Sequence, residues 1–280
     1  SIRADNIILA LSLKDQNLDV VLPLDVNVTR SEGEMVAQIT GLTNPTLQLN
    51  YGYTYVINIV PGPMEIDGEF ISVYSNTILI VDLTRRFELS VNAQIGGRRV
   101  SNVTLCVFTE DGKPLGNIPV DIYGVSTSLN ATLQIDWSGC ASRTLPYDLY
   151  TASIRALPEF IENPGLVRVV VSQPLVFKSI ELKYRPFNVA VYLLNPVPVD
   201  VVVRIGDSIG VIPRGARSAV LVIPRPGNYT LSVEPRSLHI GGVTASVFRS
   251  SVSTVLVPGP TEIPIDVQRG VARSLTICIR

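Results

Sequence analysis

Ser208 lies in Gly206-Asp-Ser208-Ile-Gly210, and a serine in a G-x-S-x-G pentapeptide can be a nucleophile when a strand-to-helix turn lifts its hydroxyl toward a carbonyl. That chemistry needs a helix directly after the serine. The following residues, Val211-Ile-Pro213-Arg-Gly215, cannot supply one, because proline removes a backbone donor and clashes with the preceding turn. His239 is the single histidine and stands beside Gly241-Gly242, with no acid placed to orient it; Glu234 and Asp266 belong to other strand positions. Ser208 therefore reads as part of a turn region, with Gly206 and Gly210 as turn glycines between strands over 199–205 and 219–223. No catalytic residue is expected.

Glu65-Ile-Asp67-Gly-Glu69, if extended, sets three carboxylates on one face, the oxygen ligands that a hard cation such as calcium takes. The longer alternation and distal glutamate of a calcium loop are missing, so a solvated acidic loop is the expectation, with Glu65, Asp67 and Glu69 the only metal candidates and no cofactor implied. Trp137 with Tyr123, Tyr147 and Tyr150 could form an aromatic platform for a sugar, or pack as core and corner residues. Cys106 and Cys140 are compatible with a disulfide in an oxidising compartment, or with two small buried hydrophobes; alternation puts Cys106 on the face opposite Val103, Leu105 and Val107. Cys278 stands alone. Four sequons, at Asn27, Asn102, Asn130 and Asn228, are acceptors for N-linked glycan if the chain is exported, whereas Asn44-Pro-Thr46 is excluded by its proline.

Composition bounds the classes that remain. The chain has 280 residues, 46% hydrophobic and 17% charged, with 20 prolines and a mean hydropathy of +0.32, which excludes intrinsic disorder. A net charge of −1 carries no electrostatic footprint for nucleic acid. Near-neutral surfaces on a hydrophobic chain favour association, so copies of itself are the first partner to expect. Apolar runs stop after a few residues, far short of the roughly 20 needed for a membrane helix. The chain opens with Ser1 and no basic or apolar leader follows, which suits a mature exported product or a cut fragment.

The elements that must position these residues are strands. Almost every periodic segment alternates with period two between Gly, Pro, Asn or Asp, and no window has the helical period. Tyr-Thr-x-x-(Ile/Val) occurs at Tyr53, Tyr150 and Tyr229, 97 and 79 residues apart, which is domain spacing. Arginine-led alternating strands begin at Arg86, Arg185 and Arg273 and read as the opening strands of successive units. The expectation is an all-β chain, a tandem array of three immunoglobulin-like or prealbumin-like β-sandwich domains at 1–84, 85–184 and 185–271, joined by short linkers. Residues 272–280 are then a surplus strand. Leu275, Ile277 and Ile279 share one face of it, and Ile7, Leu9 and Leu11 share one face of a strand over 6–13, so either terminus is a candidate donor to a neighbouring copy.

The run from Val103 through Glu110-Asp-Gly-Lys-Pro114 to Ile122, then Asp136-Trp-Ser-Gly139, then Leu145-Pro-Tyr147-Asp-Leu-Tyr150, resembles the prealbumin-like or carboxypeptidase-regulatory-like domain family. Asp148 and Leu149 replace the glycine usual before that tyrosine. The resemblance implies a sandwich fold and the stalks, adhesins and accessory modules that such domains build outside cells. The whole chain is also similar in style to secreted surface proteins of heat-loving archaea, including glycosylated filament subunits that polymerise by donating a strand. The functional expectation is a non-enzymatic, extracellular structural protein of a cell-surface filament or surface layer. The alternative is an adhesin or binding stalk whose partner is a surface glycan or another cell-surface protein.

Overall fold

Period-two alternation pairs a buried with an exposed side chain at each step, which a strand satisfies by lying on a core. The computed structural model describes residues 5–15, 17–85, 88–94, 96–240 and 243–270, and every regular element among them is a strand. The chain separates into two compact units, Ser1–Ala156 with Pro164–Glu181, and Leu157–Asn163 with Leu182–Arg280.

The first unit holds two sandwiches. One is built from β1 (Asn6–Ala10), β2 (Leu24–Arg30), β3 (Met35–Leu42), β4 (Thr46–Asn50), β5 (Thr54–Pro61), β6 (Thr77–Asp82) and β7 (Ser90–Gln94). Its sheets are a two-stranded β1-β4 and a five-stranded β7-β6-β5-β2-β3. Between them Val26, Val28, Leu47, Leu49, Ile57 and Val81 form the core. Each such buried side chain contributes about 1.5–3 kcal/mol relative to exposure.

The next sandwich comprises β8 (Val100–Thr109), β9 (Pro119–Gly124), β10 (Asn130–Gln134), β11 (Cys140–Pro146), β12 (Asp148–Ile154), β13 (Leu166–Val171) and β14 (Leu175–Leu182), ordered β11-β8-β14 and β10-β9-β12-β13. The second unit repeats this order with β15 (Phe187–Leu193), β16 (Val201–Ile205), β17 (Ser208–Ile212), β18 (Ser218–Ile223), β19 (Gly227–Pro235), β20 (Ser251–Val257) and β21 (Thr261–Ile265), as β18-β15-β21 and β17-β16-β19-β20. Opening strand β15 pairs parallel with closing strand β21 and antiparallel with β18. The third sandwich adds one hairpin, Leu238–Ile240 with Val243–Ala245.

The tyrosine repeat marks equivalent places. β5, β12 and β19 each lie inside the larger sheet of their sandwich. Tyr150 and Tyr229 donate from their hydroxyls to the carbonyls of Pro146 and Arg225, at 2.9 and 2.6 Å. In the first sandwich the equivalent bond comes from Tyr55, to the Asn50 carbonyl at 3.2 Å, while Tyr53 is 37% exposed with Arg30 over its ring. The repeat is thus shifted by two residues there.

Two sequence expectations change. The strand after Arg86, expected to open the second sandwich, is β7, and it pairs antiparallel with β6 from Ile78↔Gln94 to Asp82↔Ser90. A short connection lets the next segment fold straight back on its predecessor, so the first sandwich runs past 84. Gly210, expected in a turn, lies inside β17, a strand that intervenes between 199–205 and 219–223. There a Cβ on Gly210 would stand 3.1 Å from Leu221 Cδ1.

Cys106 and Cys140 face each other across β8 and β11 with Cα atoms 4.0 Å apart and are joined as a disulfide. Cys106→Ser/Cys140→Ser is expected to lose about 3 to 4 kcal/mol of stability, from a closed loop of this length in the chain-entropy model. Urea unfolding of wild type and the double variant without reductant checks it.

Candidate functional site

A strand at the edge of a sheet carries a row of N–H and C=O groups that must find partners. In the second and third sandwiches the opening strand is central: β8 lies between β11 and β14, and β15 between β18 and β21. In the first, β1 pairs only with β4, from Asn6↔Asn50 to Ala10↔Thr46. The closing strand β7 has gone to the opposite sheet, so among the described residues no strand covers the other edge of β1.

Burial follows the pairing. Val103, Leu105 and Val107 on β8, and Val189 and Val191 on β15, are at most 1% exposed. Ile7 and Leu9 occupy the corresponding inward positions of β1 and are only half-buried, while Leu11 just beyond is buried. Leu275, Ile277 and Ile279, with Cys278, lie outside the described residues.

The first two sandwiches are also clamped together. The connection after β7 is stitched to the segment before β6: Ser75 N–H donates to the Gly97 carbonyl at 2.9 Å and Arg99 N–H to that of Val73 at 2.8 Å. Gly96 is required there, since a Cβ would stand 2.3 Å from the Ser75 carbonyl oxygen. Arg98 then enters a buried polar cluster. Its guanidinium lies 3.7 Å from Asp15 Oδ2 in the first sandwich and 3.9 Å from Asp148 Oδ1 in the second, and donates to the Tyr147 carbonyl and the Ser126 hydroxyl. Asp15 is 1% exposed and Asp148 is fully buried.

Each carboxylate is otherwise satisfied. Asp15 accepts from the N–H groups of Asn17 and Leu18 and from the Tyr74 hydroxyl. Asp148 accepts from the N–H groups of Ser126, Thr127 and Leu149 and from the hydroxyls of Ser126 and Thr127. Burial and the Asp15 carboxylate push the Tyr74 phenol up. Burial, with the Asp148 charge adding to it, pushes Tyr150 up to about 12. Asp148, where the resembling family has glycine, is the second-sandwich anchor of this joint.

The remaining candidates are dispersed. Glu65 and Glu69 lie on a hairpin turned at Asp67-Gly68, paired as Glu65↔Phe70 and Ile66↔Glu69. Cross-strand partners share a face, so the two glutamates fall on opposite faces and the expected row of three carboxylates does not form. Asp67 instead meets Arg168, 3.3 Å away. The Ser208 hydroxyl donates to the Val222 carbonyl, and the His239 ring bonds Thr244, so these two residues do not form a couple. Tyr147 and Tyr150 are buried while Tyr123 is exposed at the far end of β9 from Trp137, so they make no platform with it. Asn102, Asn130 and Asn228 are exposed strand residues, and Asn27 is half-buried between Gln38 and Asn58 in the five-stranded sheet.

No family profile and no curated protein sequence matches the chain. Among solved structures, it is similar to the Bacillus anthracis TIE protein at 9% identity and a TM-score of 0.42, over 94% of this chain and 51% of that one. The chain therefore spans about half the length of that protein. It is also similar to a streptococcal ancillary pilin (11% identity, TM-score 0.31, 85% of this chain and 82% of that one). A third is the shaft pilin SpaA of Lactobacillus rhamnosus GG, at 8% identity and a TM-score of 0.30, over 64% of this chain and all of that one. The fold is that of a tandem β-sandwich protein.

Two outcomes test the joint. Arg98→Ala leaves two buried carboxylates without their shared cation and is expected to cost about 3–5 kcal/mol, read as a lower urea midpoint. The raised Tyr150 means that the native state resists losing that proton while the unfolded chain loses it near its ordinary value of 10.0. Its contribution is fully present below that value, and stability therefore falls as pH rises from 10 toward about 12, a loss that Tyr150→Phe removes. Chemical unfolding across that alkaline range checks the sign.

Proposed function

We propose that the chain is a non-enzymatic structural subunit of an extracellular, cell-surface filament, and that successive copies are joined by β-strand addition at the open edge of β1. The observation that carries this reading is the contrast between sandwiches: the closing strand covers the opening strand in the second and third, and is diverted in the first. The half-buried Ile7 and Leu9 are the apolar floor that a third strand of the smaller sheet would cover.

The occupant is residues 274–279 of a neighbouring copy. Leu275, Ile277 and Ile279 alternate with Thr276 and Cys278, so a single apolar face meets that floor while the backbone pairs with β1. By analogy with β15 and β21 the added strand runs parallel to β1. Donor and acceptor lie at opposite ends of the chain, so the contact is head-to-tail, and a head-to-tail contact that does not close as a ring propagates as a fibre. Ile7, Leu9 and Leu11 act in this reading as acceptor, with β1 held by β4 of its own chain. Glycans on Asn102, Asn130 and Asn228 suit outward strand positions in a polymer bathed in solvent.

Deleting residues 272–280 is expected to leave monomers where the full chain polymerises, by size-exclusion chromatography and electron microscopy. Leu9→Lys in β1 is expected to do the same with the donor intact. A synthetic 272–280 peptide is expected to cap growth. Filaments that persist both without 272–280 and, separately, without 1–13 overturn strand donation.

A further inference from the structure

Three loops meet at one end of the third sandwich: the segment entering β16, the turn leaving β17, and the segment leaving β19 for the hairpin at Leu238–Ile240. The pairing puts them together, since Val201 lies opposite both Ile212 and Pro235. Between the loops is a cavity of about 500 Å³ lined by Asp200, Arg214, Arg236, Ser237 and His239, with Pro198 and Leu238 as apolar walls. That volume is in the range of small-ligand sites, and loops on a rigid sandwich are a common place for them.

An arginine on a slack loop is an ordinary solvated charge, whereas these two stand on fixed backbone. Asp200 holds both: its Oδ1 accepts from the Arg214 N–H and its carbonyl from the Arg236 N–H, each at 2.8 Å. A proline with its fixed φ directly precedes each arginine, Pro213 and Pro235. Arg214 also lies inside a turn that the Ala216 N–H closes on the Pro213 carbonyl at 2.9 Å, with Gly215 at φ +80° supplying the left-handed position such a turn requires.

The side chains keep their donors for the cavity. Among the described residues the Arg214 guanidinium and the Ser237 hydroxyl have no partner. The Arg236 guanidinium is 3.9 Å from Asp200 Oδ2, an ion pair beyond hydrogen-bond distance. His239 spends Nδ1 on Thr244, which leaves Nε2. Two permanent cations therefore face one carboxylate, and the lining carries a surplus of one positive charge. A guanidinium matches the plane of a carboxylate, and a single carboxylate balances that surplus, whereas a doubly charged phosphate would be repelled by Asp200. The cavity is larger than a carboxylate alone requires, and its apolar walls suit the C–H face of a sugar ring. We propose that this cavity binds a uronic acid residue of an acidic polysaccharide. The carboxylate sits between Arg214 and Arg236, and ring hydroxyls bond Ser237 and Asp200 Oδ2.

The site is separate from the β1 edge, so its test does not depend on polymer formation. The intact chain is titrated calorimetrically at low salt with an α-1,4-linked galacturonic acid trisaccharide, with the uncharged galactose trisaccharide of the same linkage, and with triglutamate. Each is taken to about 5 mM, which reads weak single-site affinities. The expected result is saturable binding of the uronate alone, weakened roughly tenfold or more in Arg214→Gln/Arg236→Gln, the size of lost hydrogen bonds to a charged group. Both side chains are exposed, so the double variant is expected to unfold thermally as the wild type does. An absence of saturable uronate binding overturns the proposal, as does equal affinity for the uncharged sugar, a preference for the peptide, or undiminished affinity in the double variant.

Discussion

A sheet edge is a row of hydrogen-bonding groups that water satisfies adequately and another strand satisfies better, and the placement of one strand per sandwich answers that constraint in this chain. In the second and third sandwiches the last strand returns to the first, so the smaller sheet has its opening strand at the centre. The inward residues of that strand are then buried, Val103, Leu105 and Val107 in the second sandwich and Val189 and Val191 in the third. In the first, β7 adds to the larger sheet, which becomes five-stranded, and the smaller one stays at two. With the same number of strands, the opening strand β1 is then an edge strand among the described residues, and Ile7 and Leu9 are only half-buried.

Diverting β7 has a second effect. The chain leaves it beside the segment before β6, which brings Arg98 between Asp15 and Asp148 and fastens the first sandwich to the next one. Three charges are placed in a site where isolated ions are expensive, and it is tolerable because both carboxylates collect several N–H and O–H donors. Such a cluster holds one relative placement of two domains better than an apolar contact of similar size, because each hydrogen bond admits only a narrow geometry.

Much of this architecture is legible in the residues. The Tyr-Thr repeat finds the same strand in each sandwich, and the Cys106 and Cys140 spacing matches two strands that lie side by side. The destination of β7 is not legible, because Ser90-Val-Asn-Ala-Gln94 alternates equally well as an opening or a closing strand. Nor is the joint legible: Asp15, Tyr74, Arg98 and Asp148 share no spacing that any local period could expose. The three carboxylates near Glu65 fail as a set because Asp67-Gly68 takes a tight turn with positive φ at both residues, and only an extended chain would put all three on one face.

The parallel pairing of β15 with β21 also bears on how the molecule is made. Its two strands are separated by almost the whole of the third sandwich, so their contact forms only after nearly all of that domain has been synthesised and its loop entropy lost. The first sandwich, whose larger sheet is largely assembled from neighbours in sequence such as β2 with β3 and β6 with β7, has no such long closure to wait for. It can gain structure early on the ribosome, with a third domain that locks last and from the far end.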